Sequence, residues 1–377
     1  MYIEADDAKL LLAEVGRFAR ERIGSAVARP ETPVDVFVLD ALTREARELG
    51  ILPQEGAGGG FGLWEGTDDA GGMALSLGIL AHVGYANAGI AVAWHRSALA
   101  RWLSAALGAP FDAEDLHATT LVPTGHFGLA RTAAARWIKS ADQSDEEVAL
   151  LADWLDRTAH TTTVIAPSPW STLFWPVWRD GLIAWQRADR SQLTVTRLDA
   201  QHGLDELAAF AVRAGAGASG TATPDAGASR AIFGQVLALD MIGLLAIATG
   251  AVTRGHEMAR DFAALRTQGG VVIARHPAVQ QMLSEIEIAR RQAEAALDGF
   301  AKPIGDIDIG TVAAARAGTH PLLCHAANQV VQIHGGIGYM RDAGAEKIVR
   351  DVNMLKLMTG GTREAHAFVA GWTGTFA

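Results

Sequence analysis

From residue 230 to its C-terminus the chain is written in the apolar 3–4 spacing of long amphipathic helices, over residues 232–265, 276–300 and 309–333, then near 346–357 and 362–372. Such helices, joined by short connections, bury their apolar stripes against one another, and four of them packed antiparallel make a bundle. Within this part, residues 233–250 (FGQVLALDMIGLLAIATG) are apolar on nearly every face. Their one acid, Asp240, is therefore expected to be at least partly buried.

The rest of the chain divides in two. Residues 1–107 read as helices over 6–22, 33–49 and 72–107, interrupted at 54–62 by QEGAGGGFG, whose glycines tolerate positive φ and form a loop. Between 118 and 229 the pattern changes to short segments rich in β-branched and aromatic residues: TTTVIA (161–166), GLIAWQR (181–187) and LTVTRL (193–198). These predict a small β domain. It is interrupted by a helix over 144–157, opened by a Ser-x-x-Glu capping box at Ser144 and Glu147. Residues 214–229 (AGAGASGTATPDAGAS) are too poor in large apolar groups for a core and read as a linker. The expected fold is α+β, with an N-terminal helical domain (1–117), a central β domain with a helical insertion (118–229) and a C-terminal four-helix bundle (230–377).

Composition narrows the function classes. A length of 377 residues predicts two or three subdomains, and the apolar share, nearly half, excludes general disorder. No stretch of 18 or more residues lacks charged or strongly polar groups, so no membrane span is expected. The acids near the N-terminus argue against a secretion signal. The single cysteine, Cys324, allows neither an internal disulfide nor a cysteine-based metal site, and a reducing cytoplasm is the expected compartment. A net charge of −10 opposes nucleic-acid binding but leaves room for an anionic ligand held by local arginines. His256, His276, His320, His325 and His334 have no metal-ligand spacing, so no metal is expected; His276 opens a helix.

Residues 332–351, QIHGGIGYMRDAGAEKIVRD, closely resemble the C-terminal signature of acyl-CoA dehydrogenases, where Gln-x-x-Gly-Gly-x-Gly-aromatic precedes Glu-Lys and Arg-Asp. Residues 243–286 are similar to that family's long helix, arginine turn and following helix, and residues 47–62 look like its N-terminal glycine loop. The resemblance implies dimers or tetramers assembled around FAD. It places Gln332, Gly335 and Gly336 against the adenine and pyrophosphate of a neighbouring subunit's FAD, and Arg266 on that pyrophosphate. A glycine backbone can approach a phosphate, and a guanidinium offers its oxygens a planar fork. By the same resemblance Thr124, in PTGHFG (123–128), is a flavin contact, and Thr362 and Glu364 sit where the last helix meets FAD. The chain also departs from the family. RWIK (136–139) lies in the wrong place for the flavin-binding tryptophan strand, Gly269 replaces the phenylalanine of the arginine turn, and Trp170, Trp175, Trp178 and Trp185 read as core and interface.

The implied reaction is FAD-dependent α,β-desaturation of an acyl-CoA thioester, with an electron-transferring flavoprotein or similar acceptor. A carboxylate takes the α-proton while flavin takes a hydride from Cβ. At the position of the usual glutamate this chain has Thr359 or Gly360, neither of which is a base. Relatives such as isovaleryl-CoA dehydrogenase carry the glutamate on the first bundle helix, 26 residues before the arginine of the turn; here that residue is Asp240. Unpaired burial would raise its pKa and suit it to proton abstraction. The other reading of Asp240 is a helix acid paired with a basic group. Two functions follow: a catalytic homo-oligomer in fatty-acid or steroid side-chain β-oxidation, or a noncatalytic subunit completing the FAD site of a heteromeric α2β2 dehydrogenase, as in the actinobacterial steroid side-chain enzymes. A flavin monooxygenase is a third, weaker reading.

Overall fold

The computed structural model describes residues 5–27, 34–53, 62–108, 119–120, 128–140, 143–156, 159–199, 201–214, 221–222 and 224–374. Helix α1 (Ala5–Phe18) runs into a π-helical turn (Ala19–Ile23) and the short α2 (Gly24–Ala26), and α3 (Val36–Glu48) follows, capped by the Asp35 side chain. The expected single helix over 72–107 is two, α4 (Ala70–Ala86) and α5 (Ala88–Ala106). Asn87 between them is extended, and its side-chain oxygen accepts from Ile90 N at 2.9 Å, ending one helix and capping the next.

The central part holds two sheets. β1 (Thr119–Thr120), β3 (Thr172–Arg179), β4 (Leu182–Asp189) and β7 (Thr221–Ala222) pair in the order β1-β3-β4-β7, and β2 (Thr162–Ala166), β6 (Ala208–Ala214) and β5 (Leu193–Arg197) in the order β2-β6-β5. Both contribute to one small core around Trp170, Trp175 and Phe210. Two helices lie between β1 and β2. α7 (Asp145–Leu155) starts at the expected Ser144–Glu147 capping box. α6 (Gly128–Lys139) corrects the reading of this stretch: GLARTAAARWIK, including RWIK, is helix, as its alanines, leucine and basic residues favour. The segment expected to be a linker contributes β7 and, from Ala226, the first turn of the next helix.

That helix, α8 (Ala226–Leu265), is 40 residues, about 60 Å long. With α9 (Pro277–Asp298), α10 (Ile309–His334), α11 (Ala345–Leu357) and α12 (Thr362–Thr373) it forms the C-terminal bundle, and α4 and α5 pack on its other side. Surrounded in this way, α8 is apolar on nearly every face because nearly every face is core: 89% of its most apolar window is buried, although its length and composition alone match a membrane span. Close crossing depends on small residues. A Cβ on Gly250 would stand 2.0 Å from the Ala81 carbonyl oxygen of α4, so only glycine fits there.

Two features join the sheets to the bundle. α6 packs on α12 and α8 while α7 packs on β3. The loop between β5 and β6 is also latched to α11 by the charges of the signature segment. Lys347 Nζ lies 2.6 Å from Asp351 Oδ2 and 3.1 Å from Glu206 Oε1; Arg350 reaches Asp205 at 2.7 Å and Glu346 at 2.6 Å. Asp351 Oδ1 also accepts from Leu204 N at 2.7 Å.

Candidate functional site

Asp240 lies in the first half of α8 with 0% of its surface exposed. Burial was expected, and pairing with a basic group was one of its two readings; which residues pair with it was not. Oδ1 accepts from His95 Nε2 at 3.0 Å and stands 3.1 Å from Arg96 Nε, and Oδ2 accepts from the Thr359 hydroxyl. His95 and Arg96 come from α5, held against α8 because residue 243 is glycine: a Cβ there would meet His95 Cε1 at 2.4 Å. Trp64 Nε1 donates to His95 Nδ1 at 3.0 Å, which leaves Nε2 to carry the ring proton toward Asp240. Thr359 lies in the turn between α11 and α12. Its carbonyl oxygen accepts from Arg131 Nη2 of α6 at 2.8 Å, and Arg316 of α10 donates to the carbonyls of Leu355, at 2.9 Å, and Met358 in the same turn.

These contacts set the charge states. Burial pushes the Asp240 carboxyl up, but Arg96, then His95 and Arg316, pull it further the other way, and the net direction is below the usual carboxylate value. The expectation of a raised pKa on an unpaired acid is therefore corrected: this is a permanently ionised carboxylate with both oxygens engaged. Burial drives His95 below its ordinary value, so it is a neutral donor at pH 7, and burial pushes Arg316 down to about 10, still charged. Backbone strain converges on the same cluster. Trp64 and Thr359 hold φ at +62° and +61°, a left-handed conformation costly for side chains of their size.

A second group of expected site residues lies at the far end of α8, about 39 Å from Asp240 along the helix axis. Phe262 of α8 and His334 of α10 stack with centroids 4.6 Å apart, bringing the C-terminal ends of the two helices together. Arg266, the residue after α8, Gln332 in the last turn of α10, and Gly335 and Gly336 are all exposed on this edge. Gly335 closes α10 at φ +60°, and nothing lies within 4 Å of a Cβ built on Gly336. Arg266 makes no ion pair among the described residues. Open backbone beside an exposed guanidinium is suited to a phosphate. The edge also carries exposed apolar groups: Leu265, Ile337, Met340 and Tyr339, the last 72% exposed.

The structure does not bring the remaining expected residues to this edge. Thr362 and Glu364 open α12, where Glu364 Oε2 accepts from Gly361 N at 2.9 Å as a cap. Thr124 lies outside the described residues. Among the described residues no group of three His, Cys, Asp or Glu is placed to hold a metal. Sequence reasoning missed Trp64, His95, Arg96, Arg131 and Arg316; the local signal is the His95–Arg96 pair directly after the apolar first turns of α5, residues 88–94.

Residues 231–369 match the family profile described as acyl-CoA dehydrogenase, C-terminal domain. Over 135 residues the chain is 30% identical to 3-sulfinopropanoyl-CoA desulfinase of Paraburkholderia xenovorans (strain LB400), an alignment covering 34% of each protein. Over 125 residues it is 30% identical to a probable acyl-CoA dehydrogenase of Bacillus subtilis (strain 168), covering 32% of each. The chain thus matches about a third of the length of these curated relatives. At the level of fold the likeness runs end to end. Glutaryl-CoA dehydrogenase from Mycobacterium smegmatis superimposes with a TM-score of 0.73 at 14% identity, covering 99% of this chain and 95% of that one. The prolyl acyl carrier protein oxidase AnaB gives 0.73 at 15% identity, covering 99% and 100%. Residues 231–369 thus match the acyl-CoA dehydrogenase C-terminal domain in sequence, and the whole chain shares the fold of these solved dehydrogenases and oxidases.

Proposed function

We propose that this chain is the subunit of an acyl-CoA dehydrogenase oligomer that completes the FAD site of a neighbouring, related subunit and does not itself supply the base. The observation that carries this reading is the closure around Asp240. Its carboxylate has no exposed surface, and both its oxygens are occupied by His95, Arg96 and Thr359. A general base must come within hydrogen-bond reach of the carbon acid it deprotonates, and its pKa must lie near the working pH. Asp240 meets neither condition.

The exposed edge at Arg266, Gln332, Gly335 and Gly336 supports the other half of the reading. Arg266 would pair with a pyrophosphate, the backbone at Gly335 and Gly336 would approach it closely, and Gln332 would bond the adenine. FAD bound across such a boundary supplies the hydride acceptor of a desaturation. Leu265, Ile337, Tyr339 and Met340 would be covered by the adjoining subunit. On this reading the acyl-CoA thioester and an electron-transferring flavoprotein, or similar acceptor, engage the partner's half.

The test is anaerobic titration of the purified protein with a panel of acyl-CoA thioesters, read by flavin absorbance. The expected result is a sub-stoichiometric flavin content and no bleaching. A homo-oligomer that is fully loaded, bleaches with a thioester, and loses that bleaching but not its flavin in Asp240→Asn would overturn the proposal and make Asp240 the base.

A further inference from the structure

Two clefts adjoin on the side of α8 that faces α4. The larger, about 390 Å³, lies between the π-helical turn, α4, α8 and the end of α9, with an apolar lining that includes Leu77, Ala81 and Leu297. The smaller, about 90 Å³, lies where the corner between α4 and α5 meets the start of α11. Tyr85 lines both, and its hydroxyl donates to Glu257.

The charges along this groove are unevenly matched. Arg20, in the larger cleft, and Arg254 and Arg341, in the smaller, have no carboxylate within ion-pair distance among the described residues; Arg254 Nη1 donates only to the Ala86 carbonyl, at 2.9 Å. The neighbouring acids are largely engaged. Glu257 accepts from Tyr85, Glu294 pairs with Arg290, Glu346 with Arg350 and Asp351 with Lys347, while Asp298 is exposed at the rim. His82, pushed below its ordinary value by burial and then by Arg20, adds a neutral hydrogen-bonding group. In a chain of net charge −10, three guanidinium groups on one groove that lack an ion pair among the described residues leave it with unneutralised positive charge. An apolar cleft with a few convergent polar groups is the usual form of a small-ligand site.

We propose that this groove, separate from the Asp240 cluster and from the Arg266 edge, binds an amphiphilic phosphate monoester. Its short apolar body lies along Leu77, Ala81 and Leu297, and its phosphate lies toward Arg254 and Arg341. Arginine suits this role because its planar fork bonds two phosphate oxygens at once.

The test is calorimetric titration with octyl phosphate, beside inorganic phosphate and octanol, on the wild type, Arg341→Gln and Ala74→Trp. Arg341 and Ala74 are both exposed, so neither change disturbs the core, and tryptophan at 74 reaches over the larger cleft. Octyl phosphate is expected to bind at least about tenfold tighter than either comparator, and each substitution to weaken it by about tenfold or more at unchanged Tm. Binding no tighter than inorganic phosphate, or unaffected by both substitutions, overturns the proposal. Competition by an octanoyl thioester of phosphopantetheine assigns the head group to a soluble ester and competition by phosphatidic-acid vesicles to a lipid; failure of both overturns it.

Discussion

Thr359 and Asp240, 119 residues apart in the chain, meet in the interior, where the threonine hydroxyl donates to Asp240 Oδ2 while its backbone holds φ at +61°. A β-branched residue is an unfavourable occupant of that conformation, so the hydroxyl contact must outweigh the strain. Replacing Thr359 by Ser keeps the donor and removes a branch; replacing it by Val keeps the branch and leaves a buried carboxylate oxygen unsatisfied. Urea unfolding should place Thr359→Val about 1–3 kcal/mol below Thr359→Ser. Equal stabilities would mean that Asp240 is satisfied without Thr359.

At the opposite end of α8, the reading of Arg266 as a pyrophosphate contact predicts loss of flavin without loss of fold. Its side chain is exposed and makes no ion pair among the described residues, so Arg266→Ala should leave Tm within about a degree, as for an ordinary surface change. In the assembled oligomer the same change should weaken FAD binding by about tenfold or more, the scale of one charge-assisted contact. Unchanged flavin occupancy across a dilution series would remove Arg266 from the site.

His320 of α10 is buried, neither ring nitrogen has a hydrogen-bond partner among the described residues, and burial, then Arg316 and Lys356, drive its pKa well below the ordinary histidine value. The unfolded chain therefore binds this proton more readily than the folded one, and stability rises with pH across the window. The contribution is fully present above the unfolded value of about 6.5 and is lost as pH falls from there toward the depressed folded value. Chemical denaturation from pH 7.5 to 5 should show this decline, and His320→Leu should flatten it. A slope unchanged in His320→Leu would assign the decline to the other histidines that burial pushes down, His82 and His95 among them.

Lys347 neutralises Asp351 and the wholly buried Glu206 at the latch between the β5–β6 loop and α11. Lys347→Met leaves two carboxylates facing each other in the interior, and breaking a buried ion pair from one side costs about 3–5 kcal/mol. The loss should be partly recovered by adding Glu206→Gln, which removes one of the stranded charges. A double variant no more stable than Lys347→Met would show that the latch holds by packing and not by charge.

Much of the architecture is local and was legible in the chain. The 3–4 spacing after residue 230, the Ser144–Glu147 capping box and the β-branched segments that became β2, β4 and β5 each depend on neighbours within a few residues. The signature at 332–351 likewise pointed to the family from sequence alone. Local pattern was silent elsewhere: the alanine-rich stretch that forms α6 lies inside the segment expected to be a β domain, where no helix before residue 144 is expected. The state of Asp240 could not be read at all. An acid in an apolar run implies burial, but burial leaves the pKa free to move either way, and its direction depends on which groups the packing brings in. His95, 145 residues away, and Arg96 beside it reach Asp240 only because α5 crosses α8 at Gly243. That crossing, with the turn that delivers Thr359, turns an acid suited by position to proton abstraction into an enclosed ion pair, because Coulomb attraction at about 3 Å in a buried site outweighs desolvation, and only folding sets that distance.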